Sequence, residues 1–463
     1  MTKPSLRVLK FGGTSVQDAP ALRRLVAHVA GAPSARTLVV VSALAGVTDE
    51  LLSLVEAALA AREVTARLAA LEERHRAVAR ELTIDDDATL VALREIFARL
   101  ERALGGVTAL GEASPRTRDL VVAQGELLSS RLIARLVGAA QAGPLPYVHA
   151  PELLRTDARY GSAAIDWRAT REACARLEPR FEREARLVVG GFVGSAPDGS
   201  TTTLGRGGSD YTAAVLAAAL GAEALEFWKD VDGLLTADPR LVARARLVPE
   251  LSYGEAAELC YFGAKILHPE TMRPAVENGI PIEIRNSRFE RGASVDGPLR
   301  GTRIVARPDG EAGLKSLTLK RGVTALHLGS TRMLGAAGFL KSVFDVFAAH
   351  DVSVDLISTS EVSVSLTLER RPSEELLHRL RAELSHVATV AASDDNAVLS
   401  CVGEGLRRTP GLAGRIFGAL DEVNVRMISQ GASELNLGLV LADADGPEAL
   451  RRLHRAFFEG DLP

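Results

Sequence analysis

Lysine is scarce in this chain, with seven residues in 463, and three of the four within the first 310 positions stand beside glycine-rich or acidic motifs: Lys10, Lys229 and Lys265. A compact ammonium on a flexible stem suits point contact with phosphate. In KFGGTS, Lys10 precedes Gly12, Gly13, Thr14 and Ser15, so unobstructed backbone N–H groups are expected to face an anion beside that ammonium. The lysine comes before the glycines, which separates this loop from GxxxxGK[ST]. In TTTLGRGGSDY, three glycines surround Arg206 and lead into a helix whose expected N-cap is Ser209 or Asp210. Arg206 offers a planar fork for a carboxylate or phosphate, and Glu126 of QGELLSS, on an expected helix, can receive an ammonium. Together they would hold a zwitterion. In WKDVDGLLTADPR, Asp230, Asp232 and Asp238 suit ribose hydroxyls or magnesium, and suit ordinary Asp-Gly and Asp-Pro turns equally well. Lys265 of FGAKILHP would neutralise phosphate.

These motifs need a scaffold that collects distant loops. Up to about residue 310, short apolar runs alternate with helical patterns, the signature of a parallel sheet covered by helices. Strands are expected at 6–10, 38–41, 187–193, 224–228 and 281–284, with the loops after the first two on the same sheet edge. A long polar loop is expected over 195–208, and residues 64–104, without Gly or Pro, read as a helical hairpin. The stretch 289–313, rich in Arg, Gly, Asp and Pro, marks a domain boundary.

Beyond it the chain repeats itself. HDVSVDLIS from His350 matches DEVNVRMIS from Asp421, and SEVSVSL from Ser360 matches SELNLGL from Ser433. Each copy reads strand, helix, strand, strand, helix, a ferredoxin-like module of about 70 residues.

Composition excludes several classes. A chain 47% hydrophobic and 25% charged with a net charge of −4 has no polycationic footprint for nucleic acid or an anionic membrane. Cys174, Cys260 and Cys401 are odd in number and widely spaced, which fits a reducing cytosol with neither disulfide framework nor zinc cluster. No apolar run approaches the ~18 residues that span a bilayer. A cytoplasmic protein working on small molecules is expected, and any divalent ion is expected to arrive with a nucleotide.

Taken in order, KFGGTS, SALAGVTD, QGELLSS, TTTLGRGGSDYTA, KDVDGLLTADPR and FGAKILHP resemble the motifs of aspartate kinases, within the amino acid kinase family, and the repeat resembles their tandem ACT regulatory domains. The resemblance covers nearly the whole chain. It implies an α/β amino acid kinase fold, a mainly parallel eight-stranded sheet between helices, followed by two ferredoxin-like βαββαβ ACT domains. The implied domains are 1–300, 314–395 and 396–463, with 310–322 assigned to the second ACT unit. The implied reaction is phosphorylation of the L-aspartate side-chain carboxylate by ATP with Mg2+, giving 4-phospho-L-aspartate, the entry to lysine, threonine and methionine.

By motif position, Lys10 and Asp210 are implied as catalytic, and Thr48, Glu126, Arg206 and Ser209 as the aspartate site. Lys10, Gly12, Gly13, Lys229, Asp230, Leu235, Arg240, Lys265 and Ile266 are implied on the nucleotide side; Leu235 and Lys229 replace the Tyr and Thr frequent in the family. Met333, Gly338, Phe339, Asp355, Ser360 and Glu361 fall where lysine-inhibited relatives bind lysine, with Asp355 and Glu361 receiving its ammonium groups. Lysine is the implied effector and threonine the runner-up, acting on a homodimer or dimer of dimers joined through ACT domains. Three other readings compete: a kinase with glutamate, acetylglutamate or a nucleoside monophosphate as acceptor, a sensor without catalysis, and an RNA-binding ferredoxin-like protein. Arg206 with Glu126, the retention of Lys10 and Asp210, and the lack of aromatic basic strand faces speak against them in turn.

Overall fold

The computed structural model describes residues 4–141, 145–263, 266–289, 301–310, 312–333, 337–369, 371–431 and 433–460. The chain forms two compact units. The first comprises Met1–Gly233, Pro249–Leu251 and Ile266–Pro308. Its strands are β1 (Leu6–Phe11), β2 (Arg36–Val41), β3 (Tyr147–Val148), β4 (Arg186–Gly190), β5 (Val193–Ser195), β6 (Thr201–Thr203), β7 (Ala224–Lys229), β8 (Glu250–Ser252), β9 (Ile282–Asn286) and β10 (Gly301–Val305). Eight of them make one sheet in the order β3-β4-β2-β1-β7-β9-β10-β8. The pairings from β3 through β9 are parallel, and β10 runs antiparallel to β9.

Alternation explains why the centre is buried on both faces. Leu9, Phe11, Val39 and Val41 pack beneath the helices Ala19–Ala30, Val47–Leu59 and Gln124–Gln141, while the helix Gly208–Leu220 contacts β1 and β7. Each parallel neighbour enters from the same end, so the loops after β1, β2, β4 and β7 converge on one edge. The helical hairpin of 64–104 is present as Thr65–Glu81 and Asp87–Leu110, the second helix capped by Asp86, whose carboxylate accepts from Thr89 N at 2.9 Å.

Two local expectations need correction. The expected loop over 195–208 contains half of a two-stranded hairpin, because β5 and β6 pair in antiparallel register. Its threonines fasten it: Thr202 bonds Thr156 at 2.7 Å, and Thr203 donates to buried Asp119 through both N and Oγ1 at 2.8 Å. The helix of 208–220 is capped by Gly207, with φ of +71°, rather than by Ser209 or Asp210, which lie in the first turn. Only a residue free of a Cβ turns the chain there cheaply.

The second unit contains β11 (Gly313–Gly329), β12 (Val354–Thr359), β13 (Ser363–Leu368), β14 (Thr389–Glu404), β15 (Val425–Ser429) and β16 (Asn436–Ala442), ordered β12-β13-β11-β14-β16-β15. β11 and β14 serve both repeats. Residues 314–320 of β11 pair with 398–403 of β14, beside β16; residues 325–329 pair with 389–393, beside β13. The register shifts around Gly322, whose φ is +67° and whose N–H donates to Asp443 at 2.9 Å. Each repeat has its own helix-covered core, centred on Phe347 and Leu380 in one and Ile416 and Leu450 in the other. A third cluster joins Val323 and Leu356 of the first repeat to Val398, Met427 and Val440 of the second, so the two halves of this one sheet share buried apolar contact.

Two segments from within 1–300 belong to this unit, Leu234–Val248 and the helix Tyr253–Phe262. Burial explains the assignment: Ala237 and Val242 complete the second repeat's core, and Phe262 enters the cluster between the repeats.

Candidate active site

Lys10, the penultimate residue of β1, has its side chain 6% exposed, and its ammonium pairs with Asp210. Asp210 stands in the first turn of the helix Gly208–Leu220, and its other oxygen accepts from Lys229 Nζ at 2.8 Å. One buried carboxylate therefore holds two ammoniums. Burial pushes the Lys10 ammonium below its ordinary value, Asp210 opposes that, and Lys229 adds to it. Burial raises Asp210, yet the two lysines together hold its carboxyl below the usual carboxylate range. The arrangement keeps positive charge in a place that would otherwise expel it.

The glycine loop lies against this cluster. A Cβ on Gly12 would stand 3.7 Å from Lys10 Nζ, and one on Gly13 would stand 3.5 Å from the Ala43 carbonyl oxygen. Ser15 fixes the loop, donating to the Trp228 carbonyl at 3.0 Å and to Ser287 at 2.8 Å. Backbone, rather than side chain, therefore lines the approach to Lys10.

Glu126 opens the helix Gln124–Gln141 and is 4% exposed, in electrostatic reach of Lys10. Its carboxyl is pushed up to about 8 by burial, against backbone N–H groups of Ala43 and Glu126 and the pull of Lys10. Its Oε2 has no hydrogen-bond partner among the described residues. A buried, unsatisfied carboxylate oxygen is costly unless a ligand completes it.

Ser209 is buried and pressed against Gly191, where a Cβ would lie 2.6 Å from Ser209 Cβ. The next residue, Phe192, has φ of +66°, a conformation L-residues avoid, and its N–H donates to Thr212 at 2.8 Å. Arg206 is exposed in the loop just before Gly207, the cap of the helix Gly208–Leu220, and Thr48 is half-buried in the first turn of Val47–Leu59.

Sequence reasoning missed three supporting positions. Gly191 and Phe192 appear in the sequence only as the second glycine of a pair after an apolar run and the residue that follows it. Asp119, buried and accepting from Thr203 and Gly161, holds the loop before Arg206, yet its RTRDL context looks like any helix surface.

On the nucleotide side, Lys10, Gly12, Gly13 and Lys229 come together. Asp230 is exposed, 3.7 Å from Arg288, and Ile266 is half-buried. Leu235 and Arg240 belong to the second unit, where the Leu235 carbonyl accepts from Ser316 and Arg240 pairs with Asp238 at 2.6 Å. That pairing makes the Asp238 segment a self-satisfied turn. Lys265 lies outside the described residues.

Of the effector positions, Met333 and Phe339 pack on the first repeat's core, Gly338 caps the helix Phe339–Ala349, and Ser360 bonds Ser363 at 2.8 Å in the turn that exposes Glu361. The Asp355 carboxylate is already engaged, accepting from Tyr261 Oη and Lys320 Nζ, each at 2.6 Å.

A sheet whose loops gather buried ammoniums beside a glycine loop, joined in sequence to paired ferredoxin-like modules, defines a phosphotransferase of the amino acid kinase class. Residues 5–286 match the amino acid kinase family and residues 399–457 an ACT domain. Lysine-sensitive aspartokinase 3 of Escherichia coli (strain K12) is 38% identical, over 98% of this chain and 99% of that protein. Aspartokinase 1, chloroplastic, of Arabidopsis thaliana is 38% identical, over 98% of this chain and 81% of that one. The crystal structure of E. coli aspartokinase III with aspartate and ADP (R-state) superposes with a TM-score of 0.80 at 36% identity, covering 98% of this chain and 100% of that one. The same enzyme with lysine and aspartate (T-state) gives 0.78 at 37% identity, covering 98% and 99%. The chain belongs to the amino acid kinase family, and within it to the aspartokinases. No helix among the described residues is long and apolar enough to cross a membrane.

Proposed function

We propose that the chain transfers the γ-phosphoryl group of ATP to the side-chain carboxylate of L-aspartate, giving 4-phospho-L-aspartate, at the cluster of Lys10, Asp210 and Lys229. The observation that carries this reading is one buried carboxylate holding two ammoniums against a glycine loop. The acceptor carboxylate is ionised at neutral pH and needs no general base. What opposes reaction is the meeting of two anions, so positioned positive charge is the main requirement. Lys10 offsets charge on the transferring phosphoryl group, Asp210 orients and neutralises the lysines between turnovers, and the amide of Gly13 faces the phosphates, that of Gly12 being given to the Trp228 carbonyl at 3.4 Å. Lys229, Asp230, Leu235, Arg240, Lys265 and Ile266 serve the nucleotide.

Glu126 receives the aspartate ammonium on its unsatisfied oxygen, Arg206 grips the α-carboxylate, and Thr48 and Ser209 complete that site. Magnesium is read as arriving with the nucleotide phosphates, and no protein residue is assigned to it; Asp210 serves two cations.

Lysine inhibits through the ACT modules, using Met333, Gly338, Phe339, Asp355, Ser360 and Glu361 in a homodimer, with threonine as the effector to test beside it. The relative named lysine-sensitive supports this. Three cysteines without a disulfide support a cytosolic setting.

The test is hydroxamate formation by the full chain with ATP, magnesium and aspartate. Turnover with aspartate that Lys10→Ala abolishes is expected. Preference for glutamate or acetylglutamate, or turnover indifferent to Lys10→Ala, overturns the reading.

A further inference from the structure

The Asp355 side chain has no solvent exposure, and its two oxygens accept from Tyr261 Oη and Lys320 Nζ at 2.6 Å each. The Lys320 ammonium also stands 5.8 Å from the Tyr261 ring centroid. Burial, then the bond to Asp355 and its charge, push the Tyr261 phenol up, so it remains a donor at physiological pH. Lys320 is different in one respect: its side chain is 23% exposed. It has a route to water, and it lies two residues before Gly322, where the backbone turns through a left-handed conformation. The strand segment that carries the ammonium therefore ends at a bend in β11.

A second ammonium cannot join this carboxylate without cost. Both oxygens of Asp355 are already taken, one by Tyr261 and the other by Lys320, so an arriving cation reaches a free oxygen only by displacing the resident ammonium. The resident cation is tethered, and its local concentration is far above that of a dilute metabolite.

We infer that Lys320 is a built-in competitor of the cationic effector, its ammonium occupying the carboxylate of Asp355 and thereby setting the lysine concentration at which this aspartokinase is inhibited. The inference rests on the reading of Asp355 as an acceptor for the effector's ammonium. The chain carries, in effect, its own lysine in the lysine position. The sensitivity of the enzyme is then set by an intramolecular equilibrium between Lys320 on Asp355 and Lys320 in water. An effector binds only the second arrangement, and its apparent affinity is reduced by the fraction of time that arrangement is populated.

The experiment is a lysine titration of hydroxamate formation by the full-length protein at saturating ATP and aspartate, for wild type, Lys320→Met, Lys320→Gln, Lys320→Arg and Asp355→Asn. Removing the charge at 320 is expected to lower the half-inhibiting lysine concentration about tenfold, the effect of a site otherwise free about one-tenth of the time. Lys320→Arg keeps the cation and should remain near wild type. Lys320→Gln keeps a donor for Asp355 without the charge, and supplies the measurement if Lys320→Met does not fold. Inhibition unchanged or weakened in the folded neutral variants, with Asp355→Asn insensitive to lysine, overturns the competitor. Wild-type inhibition in Asp355→Asn instead overturns the reading of Asp355 on which the competitor rests, and leaves the catalytic proposal untouched.

Discussion

Glu126 links substrate binding to a proton that can be counted. Its carboxyl stands at about 8 in the unliganded protein, because burial outweighs the backbone donors and Lys10. At pH 7 such a group is about nine-tenths protonated. An aspartate ammonium on Oε2 supplies the missing opposite charge and draws the carboxyl down into its ionised form. Binding at pH 7 is therefore expected to release about 0.9 protons, and the aspartate Kd should fall up to about tenfold per pH unit below 8, then level off. The linkage acts on stability as well. The folded value is raised above an unfolded value near 4.5, so this group's contribution is fully present below about 4.5 and is lost as pH rises through about 8. At 1.36 kcal/mol per unit, the loss over that window is about 3–5 kcal/mol. Glu126→Gln removes the titration. Calorimetry of aspartate binding in two buffers of different ionisation enthalpy gives the proton count, and urea denaturation from pH 5 to 9 gives the linkage. The Glu126→Gln protein should lose that part of the pH dependence of its stability and bind aspartate weakly at every pH. A binding enthalpy independent of buffer in the wild type at pH 7 would refute the reasoning.

Three further perturbations probe the neighbouring groups. Asp210→Asn strips the countercharge from buried Lys10 and half-buried Lys229, which should cost about 3–5 kcal/mol of stability and lower kcat about 10²–10³-fold. Since Lys10 already sits below its ordinary value and would fall further, the deficit in urea midpoint relative to wild type at the same pH should shrink as pH rises; a deficit that widens with pH would contradict the assignment. Gly191→Ala places a Cβ 2.6 Å from Ser209 Cβ, so Ser209 must shift and the aspartate KM should rise about tenfold, an overpacking cost of about 1–3 kcal/mol. Arg206 is exposed and makes no ion pair among the described residues, so Arg206→Lys should change stability by less than about 0.5 kcal/mol yet raise the aspartate KM about tenfold or more, because an ammonium cannot reproduce the guanidinium fork.

The parallel sheet was legible because short apolar runs such as Leu38–Val41 of β2 and Leu187–Val189 of β4 alternate with helical patterns, which is how strands buried on both faces read. The repeat was legible by self-similarity alone. The hairpin β5–β6 was not, since three-residue strands of Val-Gly-Ser and Thr-Thr-Thr are too short and too polar to stand out from a loop. Nor was the place of Leu234–Val248, whose apolar residues fit either unit until Ala237 and Val242 meet the second repeat.

For the site, residue type and local spacing determined by themselves that Lys10, Glu126, Arg206 and Asp210 carry the relevant charges and that glycines leave backbone bare beside Lys10. Those properties belong to single residues and their immediate neighbours. Which charge meets which was decided only by the tertiary structure: Lys229 on Asp210, an unmatched oxygen on Glu126, and Lys320 in possession of Asp355. Pairing energy depends on distance and burial, and both arise when strands far apart in sequence become neighbours in a sheet.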